Sequence, residues 1–83
     1  MNRILIRVYV PQLEKKYDVW IPINRTIYTI TNSLMKGISS LNKIELEEEY
    51  IMNLYNKENS EIYEPSKKII ETDIRNGTEL IMF

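Results

Sequence analysis

The sequence predicts an α+β domain in which a mixed sheet of four to five strands carries one helix across one face. Three observations lead there. Residues 3–10 alternate in hydrophobicity with period two, and so do residues 17–23. From Thr26 the apolar spacing changes to three and four. After Asn76-Gly77 the chain returns to a short apolar strand pattern that runs to Phe83.

Each element has its own signal. Ile4, Ile6, Val8 and Val10 fall on one face of the first strand; Arg3, Leu5, Arg7 and Tyr9 fall on the other. Residues 11–15 read as a turn, because Pro11 cannot donate to a ladder. Tyr17, Val19, Ile21 and Ile23 then alternate with Asp18, Trp20 and Pro22, so the two runs make a hairpin. Ile27, Ile30, Leu34, Ile38 and Leu41 form one stripe of an amphipathic helix, with Thr26 where an N-cap belongs. Gly37 interrupts the stripe. The expectation is that the helix stops near Lys36 and that Ile38 and Leu41 pack from an irregular segment.

Beyond the helix, Ile51 to Tyr55 reads as a short strand whose register is ambiguous, and residues 56–59 as a turn. Pro65-Ser66 suggests a helical start, with Ile69, Ile70 and Ile74 as anchors. Asn76-Gly77 is a strong turn signal before a final strand over Thr78 to Phe83. The helix can bury its stripe only across one face of the sheet, which sets the first and last strands side by side in the centre.

Bulk properties exclude several classes. The 83 residues contain no repeat or linker and read as a single domain, 1–83. A net charge of -1 argues against a nucleic-acid binder, which needs a clustered basic surplus. There is no cysteine, which fits a reducing compartment. No apolar run approaches ~18 residues, so no membrane insertion is expected, and no signal-peptide core is present; the location read from this is cytoplasmic. With neither histidine nor cysteine, and with serines that have no triad partners, the chain has no visible catalytic set and calls for no cofactor.

The order strand, strand, helix, strand, irregular segment, strand resembles that of ubiquitin, the β-grasp fold. Thr26-Ile27-Tyr28-Thr29-Ile30 looks like its helix opening. Ile69 through Leu80 resembles its closing segment, with an isoleucine before the turn and Thr-x-Leu in the last strand. Within that superfamily the opening Arg-Ile-x-Ile-x-Val and the closing Asn-Gly-Thr-Glu-Leu-Ile-Met-Phe are most similar to the YukD/EsaB-type proteins of Gram-positive type VII secretion systems. The resemblance implies a non-enzymatic cytoplasmic accessory or adaptor of that machinery. The sequence ends on Leu80-Ile81-Met82-Phe83 and shows no Gly-Gly tail, so conjugation through the C-terminus is not expected. A continuation past Phe83 into Gly-Gly would instead favour a sulfur carrier or protein modifier. A stand-alone interaction domain of phage or toxin origin is a further alternative.

The candidate site is the sheet face that the helix does not cover. Burying Ile4, Ile6 and Val8 turns Leu5, Arg7 and Tyr9 outward; the same logic exposes Trp20 on the second strand, and Ile81 and Phe83 on the last. The third strand contributes Asn53 and Tyr55 or, in the other register, Met52 and Leu54. Leu5, Arg7, Tyr9, Trp20, Tyr55, Ile81 and Phe83 are thus expected to contact a protein partner, or a second copy in a weak homodimer. The same side chains would also stabilise the sheet without any partner. The acidic run Glu47, Glu48 and Glu49 is a second candidate, able to steer a basic partner at long range. Its spacing lacks the glycine-centred pattern of a calcium loop.

Overall fold

The computed structural model describes residues 2–42 and 52–83. Strand β1 (Arg3–Val10) leads through a short 3-10 turn (Pro11–Leu13) into β2 (Lys15–Pro22). Helix α1 (Ile27–Asn42) follows, then β3 (Leu54–Asn56), a second 3-10 turn (Ile69–Glu71) and β4 (Glu79–Met82). The sheet has four strands in the order β2-β1-β4-β3. β1 pairs antiparallel with β2 and parallel with β4, and β3 pairs antiparallel with β4. The first and last strands therefore lie side by side in the centre, as the sequence predicts.

Alternation fixes the inner face. Ile6, Val8, Val10, Ile21, Leu54, Leu80 and Met82 are buried beneath Ile27, Ile30, Leu34 and Ile38 of α1, with Met52, Ile69 and Ile74 completing the core. Each such side chain contributes about 1.5–3 kcal/mol through removal from water. The hairpin closes through Pro11, which fits the first position of the 3-10 turn. Glu14 takes a left-handed conformation (φ 52°) and donates its N–H to the Pro11 carbonyl at 3.1 Å. Before β4, the Asn76 Oδ1 accepts from the Leu5 N–H at 2.8 Å, and Gly77 (φ +90°) donates to the Leu5 carbonyl at 2.7 Å. A side chain at Gly77 would be strained there, which accounts for the turn signal.

Three expectations are corrected. First, α1 does not stop at Lys36; it runs through Gly37 to Asn42. A glycine costs a helix interior about 1 kcal/mol, whereas continuing the helix buries Ile38 beside Leu34 on the same stripe, which is worth more. Asn42, the last described residue of α1, ties the helix to β2. Its Nδ2 donates to the Ile38 carbonyl at 2.8 Å and to the Tyr17 hydroxyl at 2.7 Å. Second, Pro65-Ser66 does not start a helix. The Pro65 and Lys67 carbonyls instead accept the N–H groups of Tyr28 (3.0 Å) and Ile27 (2.8 Å). Thr26 receives the next two, Thr29 on its hydroxyl (3.2 Å) and Ile30 on its carbonyl (3.0 Å). The first-turn donors of Ile27, Tyr28 and Thr29 are thereby met, and the Ile30 bond is the first within the helix itself. Third, Ile69 and Ile74 anchor this segment but Ile70 does not; it is 58% exposed. The last two strands are also shorter than expected: β3 begins at Leu54 and β4 spans Glu79–Met82, while Ile51 lies outside the described residues.

Candidate protein-interaction face

The outer surface of the sheet is assembled by register, level by level. At one end Leu5 lies opposite Trp20. At the other, Tyr9 lies opposite Ile81, and Ile81 opposite Tyr55. Phe83 extends this end and exchanges backbone hydrogen bonds with Asn53 at 2.9 and 3.0 Å. The ambiguous register of the third strand is thereby settled: Met52 and Leu54 are buried, and Asn53 and Tyr55 face out. Trp20 is 63% exposed and Phe83 58%, whereas Leu5, Tyr9, Tyr55 and Ile81 are half-buried. Ile62, bridged to Tyr55 at the β3 edge, is exposed and adds to this end.

Between the two apolar ends runs a charged row. Arg7 stands opposite Asp18 on one side and Glu79 on the other. Its Nε donates to Asp18 Oδ1 at 2.9 Å and its Nη2 to Oδ2 at 3.5 Å, a forked pair. Lys57 donates through Nζ to Glu79 Oε2 at 2.8 Å. The hydrogen bond from Arg7 holds the Asp18 carboxyl below the usual carboxylate range and raises the Arg7 guanidinium in turn. The hydrogen bond from Lys57, with its charge, does the same to the Glu79 carboxyl. All four side chains of these ion pairs are exposed, so the face is not one continuous apolar patch. It is a Leu5–Trp20 area and a Tyr9–Ile81–Tyr55–Phe83 area, with Arg7 in the row between them.

The seven residues expected from the sequence thus share one face, and the structure adds Asp18, Glu79, Lys57 and Ile62 to it. Asp18 was readable from the hairpin, because the register that sets Leu5 against Trp20 also sets Arg7 against Asp18. Glu79 and Lys57 were not, since they depend on the parallel β1–β4 pairing and on the β3 register. Glu47, Glu48 and Glu49 lie outside the described residues. Tyr28, Leu41 and Ile70, though exposed, belong to neither end of this face.

A polar network flanks β3. The Tyr63 hydroxyl donates to Asp73 Oδ1 at 2.6 Å and accepts from Asn56 Nδ2 at 3.0 Å. Burial, then the bond to the Asp73 carboxylate, pushes the Tyr63 phenol up to about 12. Its geometry is that of a brace between β3 and the segment before β4. Among the described residues no group of three or more metal-ligating side chains comes together, and no helix is long and apolar enough to cross a membrane.

No family model matches the sequence, and no curated protein matches it. Solved structures do resemble it. The ubiquitin-like domain of EccD5 from Mycobacterium xenopi superposes with a TM-score of 0.79 at 12% identity, over 100% of this chain and 94% of that one. The ubiquitin-like domain of the Mycobacterium tuberculosis type VII secretion system protein EccD1 gives 0.76 at 9% identity, over 99% and 98%. The ubiquitin-like domain of an Arabidopsis thaliana protein gives 0.73 at 17% identity, over 100% and 78%. The chain has the ubiquitin-like β-grasp fold. A plant domain beside two bacterial ones marks how widely that fold is used, and at these identities the likeness extends to the fold and no further.

Proposed function

We propose that this chain is a non-catalytic protein-interaction module acting as a cytoplasmic accessory or adaptor of a type VII secretion system, of the YukD/EsaB type. The observation that carries the binding part is the outer sheet face. It exposes Trp20 and Phe83 at opposite ends of a charged row, and large aromatics beside an arginine are the side chains that most often anchor interfaces. The secretion setting draws support from the near-complete overlap with two EccD ubiquitin-like domains and from the resemblance of the opening and closing strands. Trp20 and Tyr9 anchor the partner, while Arg7, Asp18, Glu79 and Lys57 set its orientation.

Co-purification of the full chain with secretion components tests the reading. Trp20→Ala and Tyr9→Ala are expected to abolish recovery of a secretion-system protein while the domain stays folded. Recovery unchanged in both variants would overturn the proposed face. A gene neighbourhood holding neither a secretion ATPase nor a small helical-hairpin substrate would overturn the proposed setting.

A further inference from the structure

We propose that the cleft between α1 and the 52–65 stretch binds a single neutral phenol ring, held by its walls and by a hydrogen bond from the phenol O–H to the buried Thr31 hydroxyl oxygen. None of the seven residues of the outer-face reading borders this cleft, so the inference stands independently of that reading.

The first support is size and depth. Ile27, Thr31 and Met35 follow one another at spacing four, so they form a row on one side of α1. Thr31 is the small member of that row, and beside it the packing leaves a cleft of about 150 Å³. A cavity of about this volume takes one benzene ring. Its floor belongs to the core: Ile27 and Leu54 border it and are buried. Elsewhere the core is closed, with no exposure at Ile69, Leu80 or Met82.

The second support is the chemistry of the walls. Met35 and Met52 border the cleft, and so do Tyr28 and Tyr63. Thioethers are adaptable and make favourable contacts with ring edges, and aromatic side chains add ring–ring contacts. Such walls favour a ring over an aliphatic chain of the same size. Among the described residues no charged side chain borders the cleft. A carboxylate or an ammonium would lose its hydration there without gaining a partner, so the ligand is neutral.

The third support is the polar group in the depth of the cleft. Thr31 is 6% exposed, and its hydroxyl donates to the Ile27 carbonyl at 2.8 Å. A carbonyl has no proton to return, so the Thr31 proton is committed while its oxygen keeps the capacity to accept. No donor reaches that oxygen among the described residues. The Tyr63 hydroxyl cannot serve instead, because it already donates to Asp73 and accepts from Asn56. A buried group that can only accept selects a ligand that brings a donor, and a phenol O–H is one. Asn32, also on the lining, is half-buried, and its amide has no partner among the described residues. A phenol carried on a peptide would offer its main-chain amides to that side chain, whereas a free phenol would not use it.

The probe is p-cresol, titrated into the full chain and followed by NMR of the methionine methyl groups. Shifts are expected at Met35 and Met52, with a Kd of about 1 mM or tighter. Toluene, the same ring without the donor, is the companion probe. Thr31→Val keeps the side-chain volume and removes the acceptor. It should weaken p-cresol about tenfold and leave toluene no weaker, which also shows that the variant is folded. Thr31→Ser keeps the oxygen and should hold p-cresol to within about threefold of the wild-type affinity. N-acetyl-tyrosine amide identifies the source of the phenol. Binding tighter than that of p-cresol, and weakened by Asn32→Ala, assigns it to a tyrosine side chain of a partner; exclusion of this probe assigns it to a free small molecule. Three results would each overturn the proposal: no shift at Met35 and Met52 at about 10 mM p-cresol, p-cresol affinity unchanged by Thr31→Val, or equal loss of both probes in a Thr31→Val chain whose amide spectrum stays dispersed.

Discussion

The two faces of the sheet are made from the same strands and much the same residue types, yet they are buried to different degrees. Inward, Ile6, Val8, Leu80 and Met82 are at most 1% exposed beneath α1. Outward, Leu5, Tyr9 and Ile81, their immediate neighbours in sequence, are half-buried, and Phe83, next to Met82, is 58% exposed. A single residue step along the chain separates a side chain that holds the fold from one that is free to bind. The comparison predicts that truncations on the two faces differ in kind, with stability lost inside and binding lost outside.

The largest effect expected is on the inner face. Leu80→Ala or Ile6→Ala should cost about 2–5 kcal/mol, the range for emptying a packed core site. Removing Met82 and Phe83 together should fall in the same range, because Met82 is fully buried. Tyr9→Ala and Ile81→Ala should cost about 1 kcal/mol or less, the scale of a cross-strand pair. Denaturant unfolding of these variants measures the gap directly. Equal losses on both faces would break the comparison.

Next in size is the brace beside β3. Tyr63→Phe removes the hydroxyl that links Asp73 and Asn56, and it leaves the nearly buried Asn56 amide without that acceptor. The expected loss is about 1–3 kcal/mol. A pH dependence follows as well. The Tyr63 phenol is raised in the fold, to about 12 from 10.0, so its neutral form is the one the fold favours. Its contribution is fully present below the unfolded value and is lost as pH rises through the folded one. Alkaline unfolding of the wild-type chain should therefore show a loss between those two values that Tyr63→Phe lacks.

These contrasts also mark what the sequence could tell. Period two sorted β1, β2 and β4 into inner and outer residues, because every second side chain there meets either α1 or water. The same rule failed on the third strand, where Met52, Leu54 and Tyr55 are all large and apolar and either phase fits. Only pairing with β4 decided it. At Gly37 a local signal for stopping the helix competed with the burial of Ile38, and the tertiary term was larger. The Pro65 segment misled for a related reason: its carbonyls cap α1, a long-range use that local pattern does not record. On the outer face the apolar residues were legible, but the charged row was only half so. Asp18 follows from the hairpin, whereas Glu79 and Lys57 require the closed sheet.

Gly37 offers a smaller change of opposite sign. Nothing lies within 4 Å of a Cβ built there, so Gly37→Ala should stabilise the domain by about 0.8–1 kcal/mol through helix propensity alone. A melting curve reads this as a modest rise. A fall would mean that the helix needs glycine at this point, and the packing account of α1 would have to be revised.

The smallest effect belongs to the charged row, and it decides whether the outer face holds two separate pairs or one network. Asp18 and Glu79 are both depressed, but by different first causes: the hydrogen bond from Arg7 for Asp18, and that from Lys57 for Glu79. A depressed carboxyl contributes stability that is present above its unfolded value and lost as pH falls through the folded one. The acid limb of a stability profile should accordingly carry both groups below their ordinary values of 3.8 and 4.5. Lys57→Met should return Glu79 most of the way to its ordinary value and leave Asp18 where it is. Arg7→Met should release Asp18 and move Glu79 only slightly, because the charge of Arg7 acts on Glu79 less than Lys57 does. Carboxyl titrations by NMR separate these outcomes, and added salt should shrink both depressions because the pairs are exposed. If Lys57→Met shifted Asp18 as much as Glu79, the row would be a single coupled unit. The two apolar ends would then be joined by a rigid charged strip, and no longer divided by two independent pairs.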